Sequence, residues 1–296
     1  MLRISPKLLV CHAVALIIGI LIQLLLLENI VRASEQNMSL QTEVRFRDYK
    51  VRIYGLREDD NELDRARLEV IKGTTPVYSK RGYEFRIGSL YEDEKKEIAN
   101  KIGTDITGAG QPDLVISEYT GGAHCCLFLH IFEIGSKFRH VQTISVLHAD
   151  AADFRNMDDD PALELPINDW TFAYWNTSFA ASPAPEVILK YSKGKYRMAP
   201  DLMRKPARSP EELTEMASVI RSQPEWKDPG QKLPPKLWDD MLTLIYSGNM
   251  DQAWKLFDTA WLDGVRGKQQ FLRDFKVQLW KSPFWKEIQE LNSKRK

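Results

Sequence analysis

The chain has 296 residues, of which 43% are hydrophobic and 28% charged, an ordinary globular composition with room for one large domain or two smaller ones. Lys plus Arg equals Asp plus Glu at 41 each, giving a formal net charge of +0. No overall basic field points to a nucleic-acid partner, and there is no acidic tail.

Residues 1–33 read as an export segment. Arg3 and Lys7 form a positive start, and "LLVCHAVALIIGILIQLLLL", Leu8 to Leu27, is an almost unbroken apolar run. Val31 and Ala33 then sit at the −3 and −1 positions of a small-residue cleavage site. The run is also long enough to span a bilayer once. A cleaved signal peptide and a retained signal anchor both fit, and both place the rest of the chain outside the cytoplasm, periplasmic or secreted. Contact with a membrane is expected only through this segment.

From residue 41 to about 200 the texture is that of short strands. "EVRFRDYKVRIYG" alternates, and "RLEVIKGTTPVYS" and "YEFRIG" follow, with Gly73 and Gly82 near the bends. "DLVISEYT", "CLFLHIFEIG", "FRHVQTISVL", "ALELPI", "DWTFAYW" and "EVILKYSKGKYRMA" continue the series. Residues 126–134 are apolar on both faces, so a central strand is expected there, and "YSKGKY" reads as a hairpin turn at Gly194. "DWTFAYWNTSF" read as a strand puts Trp170, Phe172 and Tyr174 on one face and Trp175 on the other, either a core row or a platform for sugar rings.

Residues 201–235 are punctuated by prolines and hold one helix. It begins at Ser209 as N-cap, with Pro210 at N1 and Glu212 completing a capping box. From 236 to 293 the apolar period becomes helical. Leu237, Met241, Leu244 and Ile245 make one stripe and Ala253, Leu256, Phe257 and Ala260 a facing one, with Gly248 ending the first helix. The fold class is therefore α+β: an antiparallel β domain at 41–200, a linker, and a small helical region.

Two acidic turns carry the metal-like chemistry. At positions 1, 3 and 9 the first offers Asp105, Thr107 and Asp113, with Gly110 at position 6. Fifty-one residues on, the second offers Asn156, Asp158, Asp160 and Glu164, with Pro161 at position 6. Alternate residues of a tight loop aim their oxygens at one centre, and Ca²⁺ takes six to eight oxygens at about 2.4 Å. "DITGAGQPDLVISEY", and more loosely "FRNMDDDPALEL", resemble the turn that opens a strand in FG-GAP repeats of integrin-type propellers. The resemblance implies propeller-like antiparallel units and Ca²⁺ as the one cofactor. Each turn departs from the pattern: Ala109 brings no oxygen to the first, and Pro161 fixes φ where the second needs a bend glycine. The β region holds about three such units where a closed propeller needs at least four. A partial propeller is expected, with a β-sandwich as the alternative.

With Cys11 in the export segment, Cys125 and Cys126 are neighbours, and a conventional disulfide framework is excluded for a monomer. "HCC" suggests a metal or a catalytic thiol, but on a strand His124 and Cys126 point one way and Cys125 the other, and no second cluster supplies ligands. Packed thiols and a vicinal disulfide between Cys125 and Cys126 both remain. In the helical region, "LIYSGNMDQAWKLFDTAW" resembles the middle of a tetratricopeptide repeat, and that resemblance implies a protein partner.

The expected function is an exported, non-catalytic binding or envelope-associated protein whose partner is an unidentified protein or a polysaccharide of the cell envelope. Two alternatives are an extracytoplasmic hydrolase on polysaccharide or cell-wall material, using Glu118 with Asp150 or Asp153, and a membrane-anchored structural module.

Overall fold

The computed structural model describes residues 38–56, 65–88, 102–122, 125–148, 153–227 and 233–293. Residues 1–33, read from the sequence as a signal peptide or signal anchor, lie outside the described residues. Among the described residues, no helix is long and apolar enough to cross a membrane.

The chain divides into two compact units, Met1–Phe85 and Arg86–Lys296. In the first, β1 (Met38–Phe46), β2 (Tyr49–Leu56), β3 (Ala66–Lys72) and β4 (Thr75–Gly82) form a four-stranded antiparallel meander. Strict alternation drives it: in β2, Tyr49, Val51 and Ile53 are buried while Lys50, Arg52 and Tyr54 are partly exposed. The turns are tight, with Arg47 at φ 54° and Gly73 at φ 59°.

A second sheet has the order β5-β6-β7-β8, from β5 (Glu84–Ile87), β6 (Asp113–Gly122), β7 (Cys125–Ile134) and β8 (Phe138–Leu147). The strand expected to be central, β7, lies between β6 and β8 and pairs antiparallel with both. A third sheet, β9 (Leu165–Asn168), β10 (Glu186–Ser192) and β11 (Lys195–Met198), runs as an antiparallel meander. Its hairpin turns through Lys193 at φ 50° and Gly194 at φ 85°, the paired left-handed residues of a two-residue loop.

The helices are α1 (Pro200–Met203), α2 (Pro210–Arg221), α3 (Pro235–Tyr246), α4 (Met250–Ala260), α5 (Lys268–Leu279) and α6 (Trp285–Asn292). The capping box at α2 is formed: Ser209 Oγ accepts from the Glu212 N–H and the Glu212 carboxylate accepts from the Ser209 N–H. Every residue of the two predicted helical stripes is buried. Gly248, at φ 82°, follows the C-cap Ser247 of α3, as its position in the sequence predicts.

Two features differ from the sequence reading. The boundary expected near residue 200 does not separate two cores: one cluster runs from Ile106 and Val115 through Leu189 to Trp238, Phe275 and Leu291. Two small sheets cannot bury their apolar faces alone, and the helices supply the missing layer. "DWTFAYW" is a turn, not a strand. Asp169 Oδ1 holds the Thr171 N–H at 2.9 Å, and Tyr174 and Asn176 have φ of 59° and 54°, which no extended strand permits.

Candidate functional site

The turn at 169–182 sorts its aromatic residues into two groups. Phe172 and Trp175 turn inward. Trp175 meets Trp238 edge-on at 5.6 Å and Phe271 at 5.3 Å, and Phe172 meets Phe275 at 5.2 Å. Trp170, Tyr174 and Phe179 gather on the other side. Trp170 and Phe179 stack at 5.3 Å with only 15° between their planes. Tyr174 lies 5.4 Å from Phe179, and His148 closes edge-on against Trp170 at 5.0 Å and Phe179 at 4.9 Å. The predicted row Trp170, Phe172, Tyr174 is thus split, because a turn does not alternate its side chains.

Tyr174 is 55% exposed although its backbone is left-handed, a conformation that a bulky residue rarely adopts. Its N–H donates to Ser182 Oγ at 2.8 Å, and that hydroxyl donates to the Ser178 carbonyl at 2.9 Å. The turn is anchored below by buried Asp169, whose Oδ2 accepts from Tyr246 Oη at 2.6 Å and from Ser282 Oγ at 2.5 Å. The Trp170 indole N–H has no hydrogen-bond partner. That N–H is itself buried, so what the turn offers outside is ring surface, chiefly that of Tyr174.

The first acidic turn spends its carboxylates on its own loop. Asp105 accepts from the N–H groups of Ala109 (3.1 Å) and Gly110 (2.8 Å). Asp113 Oδ2 accepts from both the N–H and the hydroxyl of Thr107, each at 2.9 Å. Gly110 has φ 75°, the bend expected at that position. Burial is the main cause that raises the Asp113 pKa, to about 6.

The second turn is arranged differently. No residue from Asn156 to Glu164 has a positive φ, as Pro161 requires. The Asn156 side-chain amide donates to the Asp160 carbonyl at 3.3 Å. Carboxylate oxygens of Asp158, Asp160 and Glu164 all lie within 4.8 Å of one another. Lys190 of β10 reaches into this group. Its Nζ is 2.6 Å from Asp160 Oδ2 and 4.0 Å from Glu164 Oε1, and it is also hydrogen-bonded to Asp158 Oδ2. The bonds to Asp158 and Asp160 hold the Lys190 pKa well above its ordinary value, and the bond to Lys190 lowers that of Asp158. Nothing in the local sequence marks Lys190. The signal lies in register: Leu165 faces Leu189 across β9 and β10, and one step further along the same antiparallel pairing brings Glu164 opposite Lys190.

The two turns lie together. The Leu163 N–H donates to the Ile106 carbonyl at 2.9 Å, and the Tyr196 hydroxyl bridges the carbonyls of Ile106 (2.9 Å) and Leu163 (3.2 Å).

Glu118, named with Asp150 or Asp153 in the hydrolase alternative, has its Oε2 2.6 Å from His130 Nε2, while His130 Nδ1 is 2.8 Å from Thr143 Oγ1. Asp150 lies outside the described residues. His130 and Glu118 are 2% and 5% exposed, whereas Thr143 is exposed, so the row leads from the surface to a buried carboxylate. Cys126 is disulfide-bonded rather than a free packed thiol, and its N–H donates to Thr120 Oγ1 at 3.0 Å. His124 and the Cys125 side chain lie outside the described residues.

Comparison of this chain with known protein families, curated proteins and solved structures yields no match.

Proposed function

We propose that this protein is an exported, non-catalytic binding module of the cell envelope, and that the 169–182 turn takes the face of a sugar ring from an envelope polysaccharide. The observation that carries the reading is Tyr174, 55% exposed in a left-handed backbone beside the stacked Trp170–Phe179 pair. A left-handed tyrosine costs on the order of 1–2 kcal/mol relative to an ordinary conformation. Water gains nothing from that expense, while a ligand that stacks on the ring does. Asp169, tied to Tyr246 and Ser282, keeps the turn from relaxing when nothing is bound.

The chemistry selects the ligand class. A pyranose presents an apolar C–H face, which an exposed ring such as that of Tyr174 can stack on. The export segment read at 1–33 would deliver the module to the compartment where such polymers are found.

The test is co-sedimentation of the purified protein with peptidoglycan sacculi and, separately, with cellulose and chitin. Wild-type protein should pellet with at least one of them. Tyr174→Ala should weaken that binding about tenfold, a loss of about 1.4 kcal/mol, with no change in melting temperature. Protein that stays in the supernatant with all three, or a Tyr174→Ala variant that binds as well as wild type, sinks the reading.

A further inference from the structure

We propose that the second acidic turn is a cation cage whose resident cation is the ammonium group of Lys190, and that a divalent ion is accepted there only once that ammonium is removed. The inference is independent of sugar binding.

Three observations carry it. The carboxylates of Asp158, Asp160 and Glu164 converge within 4.8 Å, a spacing at which like charges repel unless a cation lies among them. Glu164 is 0% exposed, its Oε2 accepts from the Met157 N–H at 2.8 Å, and its Oε1 has no hydrogen-bond partner. That free oxygen faces Lys190 Nζ at 4.0 Å, so a fully buried carboxylate oxygen is aimed at the cage centre and is satisfied only by charge. Finally, the sheet delivers Lys190 to this place. Continued one step past the Leu165–Leu189 pair, the β9–β10 register brings Glu164 opposite Lys190, and Nζ bonds the two other carboxylates, at 2.6 Å in the case of Asp160.

As they stand, these residues do not fit a calcium ion. An ion about 2.4 Å from the same oxygens would lie against an ammonium group already bonded to them. The ammonium meets the charge requirement in another way: three N–H donors, delivered by the chain itself, face three carboxylates. The donor is covalently attached to the next strand, so it cannot be lost by dilution or chelation. The cage thereby joins the 156–164 turn to β10 without an ion from solution.

Removing the amine leaves three carboxylates, one buried and without a hydrogen bond at Oε1, around an empty centre. That is an oxygen site for a hard divalent cation, with water completing the shell.

The experiment compares wild type, Lys190→Met and Lys190→Arg by thermal melting in calcium chloride and in EDTA, and by calorimetric titration with calcium chloride. Wild type and Lys190→Arg should melt at the same temperature in both buffers and take up no calcium. Lys190→Met should melt lower than wild type in EDTA, regain at least about 3 °C in calcium, and show one saturable site. Saturable calcium uptake by wild type, or a calcium-dependent rise in its melting temperature, overturns the proposal. So does a Lys190→Met protein that is indifferent to calcium, or one that fails to fold in either buffer.

Discussion

Asp113 shows what a single buried carboxyl does to stability. It is buried at the start of β6, its Oδ1 has no hydrogen-bond partner, and its pKa is raised from 3.8 to about 6. Between those two values the native chain holds the proton more tightly than the unfolded chain. The contribution of this group to stability is therefore full below about pH 4 and is lost as pH rises through about 6. The loss is about 2 kcal/mol after allowance for partial solvent screening. Asp113→Asn should flatten that slope. In urea denaturation at pH 4, 5, 6 and 7, wild type relative to the variant should lose stability steadily with rising pH, and a constant difference would refute the assignment. At this scale the sequence is a partial guide. It singles out Asp105, Thr107 and Asp113 as oxygen donors, but not that Asp105 and Asp113 face the N–H groups of their own loop. Glu118 and His130 are twelve residues apart and meet only because β6 pairs with β7.

At the scale of elements, the two acidic turns are held by a close backbone approach at Gly108. A Cβ there would lie 2.6 Å from the Ala162 nitrogen and 2.8 Å from the Pro161 carbonyl carbon, and φ is +64°. At Gly110, φ is +75° and nothing lies within 4 Å of the corresponding position. Gly110→Ala should therefore cost only the conformational strain, about 1 kcal/mol, while Gly108→Ala must also push the turns apart and should cost about 3 kcal/mol. Equal shifts in the denaturant midpoint for the two variants would show that the approach is unimportant. The helices were more legible than these turns. Ser209 with Glu212, the two apolar stripes and Gly248 are local signals, each decided within one or two helical turns. "DWTFAYW" has the strong β propensity of an aromatic run, whereas the Asp169 side chain and two left-handed residues determine its path as a turn.

On the scale of the whole molecule, the consequence to test is the shared core of β6 to β11 and the helices. Trp238 of α3 is fully buried and meets Trp175 of the 169–182 turn edge-on. Trp238→Ala should cost about 3–5 kcal/mol. The loss should appear in a single transition followed both by helical circular dichroism and by near-ultraviolet aromatic signals. Helices that melt separately from the aromatic signal would argue for two cores. By itself, the sequence determined the α+β class, the hairpins at Gly73 and Gly194, the central position of β7 and the helical stripes, because each follows from propensity and period over a few residues. Only the tertiary structure decided that sheets and helices share one core, that Tyr174 stands out while Trp175 turns in, and that Lys190 stands among Asp158, Asp160 and Glu164. Those outcomes depend on strand register and on contacts between residues far apart in the chain, and local pattern carries no record of either.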